Sequence, residues 1–238
     1  INNALYIFYY RATAIFIERF GTPAELADFR VAFVVMISAL YVPKAVIWAS
    51  SPRIALHHEQ MDNAKFRNLL RQSADMNLYI SAIITVGGLL YGETLIGFVF
   101  GAKYAHLGAL WYVFDVAIGI FFVQQFCVDL LNNLKRERHV VNTFAVGVIV
   151  LTILNLIMIP HYGALGAAWA RLVAGLVMVP MNLYALVKLV GGESLHGIRL
   201  WRFVAVNAMA AAIGFALLRV NFWLSLSAFL IAYGALSY

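Results

Sequence analysis

Cysteine is almost absent from this chain, charge is scarce, and no nucleotide-binding or nucleophile motif occurs in it. The one cysteine, Cys127, excludes an intramolecular disulfide and a multi-cysteine metal site. Only 12% of the 238 residues are charged and 63% are hydrophobic, against about 25% and about 45–50% in soluble domains. An ordinary soluble fold is excluded. There is no P-loop, dinucleotide fingerprint or nucleophile elbow, so the sequence offers no catalytic residue, no cofactor site and no power source of its own. The histidines are dispersed, and the adjacent pair His57 and His58 lies in a basic connector, so no metal site is expected. The net charge of +6 could suit nucleic acid, but the basic residues form no stripe interleaved with aromatics. Nucleic acid is not an expected partner.

What is present is a succession of apolar runs, with a mean hydropathy of +0.85. A membrane span needs about 20 apolar residues, and the runs near 3–19, 29–50, 77–99, 107–131, 140–160, 164–188, 200–219 and 222–238 predict an all-α, polytopic bundle of about eight transmembrane helices. The chain opens on Ile1 within an apolar stretch and closes on FWLSLSAFLIAYGALSY, so it reads as one whose beginning is missing. Lys and Arg sort by loop. Ten fall in the linkers after the second, fourth and sixth runs (Arg53, Lys65, Arg67, Arg71; Lys135, Arg136, Arg138; Lys188, Arg199, Arg202), and four in the alternate set (Arg19, Arg30, Lys103, Arg219). The positive-inside rule places the first set in the cytoplasm. Residues 53–74 then form an amphipathic cytoplasmic connector, with Trp48 and Trp201 at the inner boundary and Trp111 and Trp223 at the outer.

Three cations remain inside runs: Arg11 in ALYIFYYRATAIFI, Lys44 in VVMISALYVPKAVIWA, and Arg171. A basic side chain at the bilayer centre costs about 2.5–3.5 kcal/mol on insertion scales, where a Leu returns only about 0.3–0.6. Neither ALYIFYYRATAIFI nor VVMISALYVPKAVIWA contains a carboxylate. Run boundaries place Arg11 and Lys44 at similar depth on an antiparallel hairpin, with Arg30 at its outer mouth. Arg11, Lys44 and Arg30 are therefore candidate binders of an anionic, phosphate-bearing substrate, since Arg grips phosphate bidentately and Lys acts as a point charge. The rival reading pairs Arg11 and Lys44 with Asp115 or Asp129 of the fourth run, both of which are expected near interfaces. Pro43 predicts a kink beside Lys44. In HYGALGAAWARLVAG, Gly163 and Ala167, and Gly166, Ala170 and Ala174, form small-residue ridges for helix packing.

YGALGAAWARLVAG at 162–175, ETLIGFVFGAKYAHLGALWYVF at 93–114 and YYRATAIFIERFGTPAELADFRVAF near the start resemble, in order and spacing, segments of polysaccharide flippases of the multidrug, oligosaccharidyl-lipid and polysaccharide exporter superfamily. The resemblance implies that the spans correspond to helices seven to fourteen. Residues 1–188 would be the second lobe of a two-lobe alternating-access transporter, 189–238 two additional spans, and an amino-terminal lobe would be missing. It further implies a non-enzymatic protein of the cytoplasmic (inner) membrane, surrounded by membrane lipids, that moves a lipid-linked oligosaccharide with an anionic pyrophosphate head for cell-surface polysaccharide synthesis. Arg11 matches a basic residue common in the seventh helix of such proteins, whereas an Asp often found two residues later is Thr13 here. Alternatives are a multidrug exporter of the same superfamily and a membrane-embedded polysaccharide-assembly enzyme.

Overall fold

The turn GTPAE at 21–25 sets the geometry of the first hairpin. Thr22 and Glu25 form a reciprocal capping box: the Glu25 amide donates to Thr22 Oγ1 at 3.2 Å, and the Thr22 amide donates to Glu25 Oε2 at 2.7 Å. Pro23 occupies the first helical position, where its missing N–H costs nothing. The computed structural model describes residues 2–59, 63–191, 209, 212 and 222–237, and these fold as helices joined by short turns. The elements are α1 (Asn2–Phe20), α2 (Pro23–Glu59), α3 (Asn63–Phe100), a 3-10 segment (Ala102–Leu107), α4 (Gly108–Asn133), α5 (Glu137–Val190) and α6 (Phe222–Ser237). The run expected at 200–219 lies outside the described residues, apart from Met209 and Ala212.

Among the described residues, α2, α3, α4 and α5 are long and apolar enough to cross a membrane. With 54 residues, α5 is too long for one span; it breaks at Gly163, whose φ of 54° and ψ of −134° are non-helical. Two antiparallel legs result, matching the sequence expectation of separate runs at 140–160 and 164–188. The close reversal needs glycine at 166 as well, because a methyl group there would meet the Met158 carbonyl. The helical backbone of α2 continues through Pro43. The connector at 53–74 is drawn from the last turns of α2 and the first turns of α3.

Helix α4 is the axis of the bundle, packed against α2, α3 and α5, while α1 lies chiefly against α5. Between membrane helices, close packing replaces the hydrophobic drive, so small residues decide how near two backbones come. Gly88 and Gly92 on α3 receive Asp115 and Trp111 of α4: a methyl group on either glycine would overlap the facing side chain. Trp111 is buried and its indole N–H donates to the Gly88 carbonyl at 2.9 Å, so it serves helix packing where the sequence suggests a boundary belt.

At the end of the bundle carrying the α1–α2 turn, His106 of the 3-10 segment reaches back to α2. Its Nε2 lies 3.1 Å from Asp28 Oδ2 and its Nδ1 lies 2.6 Å from the Lys103 carbonyl. The Asp28 hydrogen bond, with the Lys103 carbonyl behind it, holds the imidazole pKa above its ordinary value. A raised folded-state pKa means that this contribution is complete below about pH 6.5 and fades as pH climbs through the raised value. The Tm difference between wild type and His106→Gln should therefore be larger at about pH 5.5 than at about pH 8.5. Equal differences at both would contradict the pairing.

Candidate functional site

The three intramembrane cations are treated differently by the fold. Arg11 is exposed, on the face of α1 that also presents Ile7, Phe8 and Ile15. It makes no ion pair with any described residue. Lys44 is half-buried between α1 and α2: its Nζ donates to Tyr6 Oη at 3.3 Å and lies 5.4 Å and 5.6 Å from the ring centres of Tyr6 and Tyr41. Tyr6, Ile37, Leu40, Tyr41 and Lys44 line a cavity of about 30 Å³, room for a water molecule. Asp129 is near enough to feel the Lys44 charge without forming an ion pair. Arg30 is exposed near the start of α2.

Their depths differ from the sequence expectation. Hydropathy starts the second run at 29, but the capping box starts α2 at Pro23. At 1.5 Å per residue, Lys44 lies about 31 Å along α2 from the turn, while Arg11 lies about 14 Å along α1 and Arg30 about 10 Å along α2. The structure therefore brings Lys44 to Tyr6 and leaves Arg11 at the level of Arg30. Lys44 stands apart from the two arginines along the hairpin, where the sequence predicts Arg11 and Lys44 side by side.

Arg171 is wholly buried in the second leg of α5. Its Nη2 donates to Thr13 Oγ1 at 3.0 Å and to the Tyr9 carbonyl at 3.4 Å, and Asn155 Nδ2 from the first leg donates to the same Thr13 hydroxyl at 3.2 Å. The rings of Tyr9, Tyr10 and Phe33 surround the guanidinium with centres at 5.4, 5.8 and 4.8 Å. No carboxylate among the described residues pairs with it, so aromatic faces and neutral oxygens carry the compensation. Arg171 thus ties α1 and α2 to both legs of α5. The sequence places it among the intramembrane cations but cannot name its partners, since Thr13 is 158 residues away.

Asp115 departs from the interfacial placement read from its run. It is fully buried against Gly88, and neither carboxylate oxygen has a hydrogen-bond partner among the described residues. It forms part of the wall of an apolar groove of about 450 Å³ that also involves Ser38, Tyr91, Trp111 and Phe229. The signal for this contact was available in the sequence: Gly88 and Gly92 on α3 have the same four-residue spacing as Trp111 and Asp115 on α4.

This arrangement of helices recurs in a solved structure, the crystal structure of MATE in the bent conformation. The match has a TM-score of 0.67 at 19% sequence identity, and covers all of this chain and 62% of the other. The two share a fold. This chain spans less than two thirds of the length of that neighbour. No family model matches the sequence, and no curated protein matches it. The apolar helices and the MATE fold together describe a multi-pass membrane protein.

Proposed function

We propose that this chain is the second lobe of an alternating-access transporter that moves polyprenyl-diphosphate-linked oligosaccharide outward across the cytoplasmic membrane, and that it catalyses no covalent reaction. The observation that carries the reading is Arg11. It stands midway along α1, exposed among Ile7, Phe8 and Ile15, with no described carboxylate beside it. Facing lipid, it would cost several kcal/mol; facing a polar cavity closed by another lobe, it becomes an anion site. Lys44 and the two arginines then mark two depths at which an anionic head group is held, Lys44 near the cytoplasmic end and Arg11 and Arg30 nearer the outer one. Tyr6 and Tyr41 keep the Lys44 ammonium in place without neutralising it.

The test is replacement of Arg11 and Lys44 by Gln in the full-length protein, scored by surface polysaccharide in cells. The expected outcome is loss of the polymer at unchanged protein level. Normal polymer would overturn the proposal.

One observation favours a multidrug exporter instead: buried Asp115 on an apolar groove suits a lipophilic cation. On that reading, Asp115→Asn removes drug resistance while R11Q/K44Q leaves it intact.

A further inference from the structure

At the end of the bundle opposite the α1–α2 turn, the start of the first leg of α5 and the end of its second leg enclose a cavity of about 560 Å³. Arg136, His139 and Asn142 contribute from the first leg, and Met181, Tyr184 and Lys188 from the second. On each leg the residues recur at three- and four-residue spacing, so two helix faces oppose each other across the opening. No carboxylate among the described residues lines it. The nearest acid in sequence, Glu137, lines the neighbouring depression with Lys135, Arg136 and Arg138.

The position of Arg136 is set by the backbone. Lys135 takes the left-handed conformation (φ 58°), the Lys135 amide donates to the Asn132 carbonyl, and the Arg136 amide donates to the Leu131 carbonyl at 2.8 Å. These are the paired bonds of a Schellman ending on α4. The same residue is the N-cap of α5, where no side chain caps the helix, so the first amides of α5 add positive potential beside the cavity. Arg136, His139 and Lys188 are exposed and make no ion pair with described residues. Met181 and Leu189 are half-buried and give the same cavity an apolar wall.

We infer that this cavity binds the phosphate of an anionic phospholipid, with Arg136, His139 and Lys188 around the head group and acyl carbons against Met181 and Leu189. Two cations and an imidazole around a concavity that also has an apolar wall, at the end of a membrane helix pair, match an anionic lipid better than a soluble ion, which has no use for the wall. The site is separate from Arg11, Lys44 and Arg30 and does not depend on what the protein transports.

The test is native mass spectrometry of the full chain purified in detergent, titrated with phosphatidylglycerol or phosphatidylcholine. Wild type should retain phosphatidylglycerol on the order of tenfold better than phosphatidylcholine. R136Q/H139Q/K188Q should lose that preference, while R136K/K188R, which keeps the charges, and Lys103→Gln at the opposite end should retain it. Matching thermal unfolding of the variants excludes misfolding as the cause; if the triple variant unfolds early, the three single variants should each reduce the preference. An unchanged preference in the neutralised variants overturns the inference. So does complete displacement of the lipid by millimolar inorganic phosphate, which would make the cavity a site for the free ion.

Discussion

Replacing Gly163 with Ala should destabilise the bundle by about 1.5–5 kcal/mol. The break between the legs of α5 holds residue 163 at φ 54°, ψ −134°, a conformation open to glycine and strained by about 1–3 kcal/mol for other residues. The added methyl group would also overlap the Glu25 carboxylate, forcing apart the capping box that begins α2 and costing about 0.5–2 kcal/mol more. Together these approach the lower end of the roughly 5–15 kcal/mol that stabilises a typical domain. Size-exclusion profile and Tm in detergent give the readout. Gly101→Ala separates the two causes, because residue 101 also has a positive φ, 99°, but nothing lies within 4 Å of an added Cβ; it should carry the backbone strain without the clash, and so cost less than Gly163→Ala. Glu25→Ala in the Gly163→Ala background should recover part of the loss, since it removes the clash but not the strain. A Gly163→Ala protein as stable as wild type would refute this account of the turn.

Arg171→Ala should destabilise the bundle by about 3–5 kcal/mol, through an unfilled cavity and the loss of a buried network. The guanidinium fills the space between Tyr9, Tyr10 and Phe33 and joins α5 to Thr13. Thr13→Val should cost less, about 1–3 kcal/mol, because Arg171 and Asn155 each lose an acceptor while the packing stays. The double variant should cost less than the sum, as both changes delete the same bond. Thr13→Asp places a carboxylate where Arg171 already donates, and should stabilise the protein relative to Thr13→Val. Additive costs for the double variant would mean that the contact between Thr13 and Arg171 is not coupled energetically.

Hydropathy alone located α1 to α5 and the reversal near 163, because membrane spans are long, apolar and separated by short polar turns. Depth was less legible. The box Thr22-Pro23-Ala24-Glu25 is written plainly in the sequence, but the charges at Glu25, Asp28 and Arg30 lower local hydropathy and move the apparent start of the second span to residue 29. That shift of six residues, about 9 Å of helix, is what sets Arg11 and Lys44 level on paper and apart in the structure. Asp115 misleads for a similar reason: its distance from the helix start suggests an interface, while the glycines that let it sink against α3 lie in another run. The Arg171 network joins residues far apart in the chain, and no local periodicity encodes such a contact.

The central claim is that the unneutralised cations of α1 and α2 hold an anionic head group during transport. Its most direct test is translocation of a fluorescent polyprenyl-diphosphate-linked oligosaccharide in proteoliposomes holding the full-length protein. Wild type should move the lipid, and R11Q/K44Q should move it at least about tenfold more slowly, the expected effect of losing charge-assisted bonds. Equal rates for the two proteins would contradict the account.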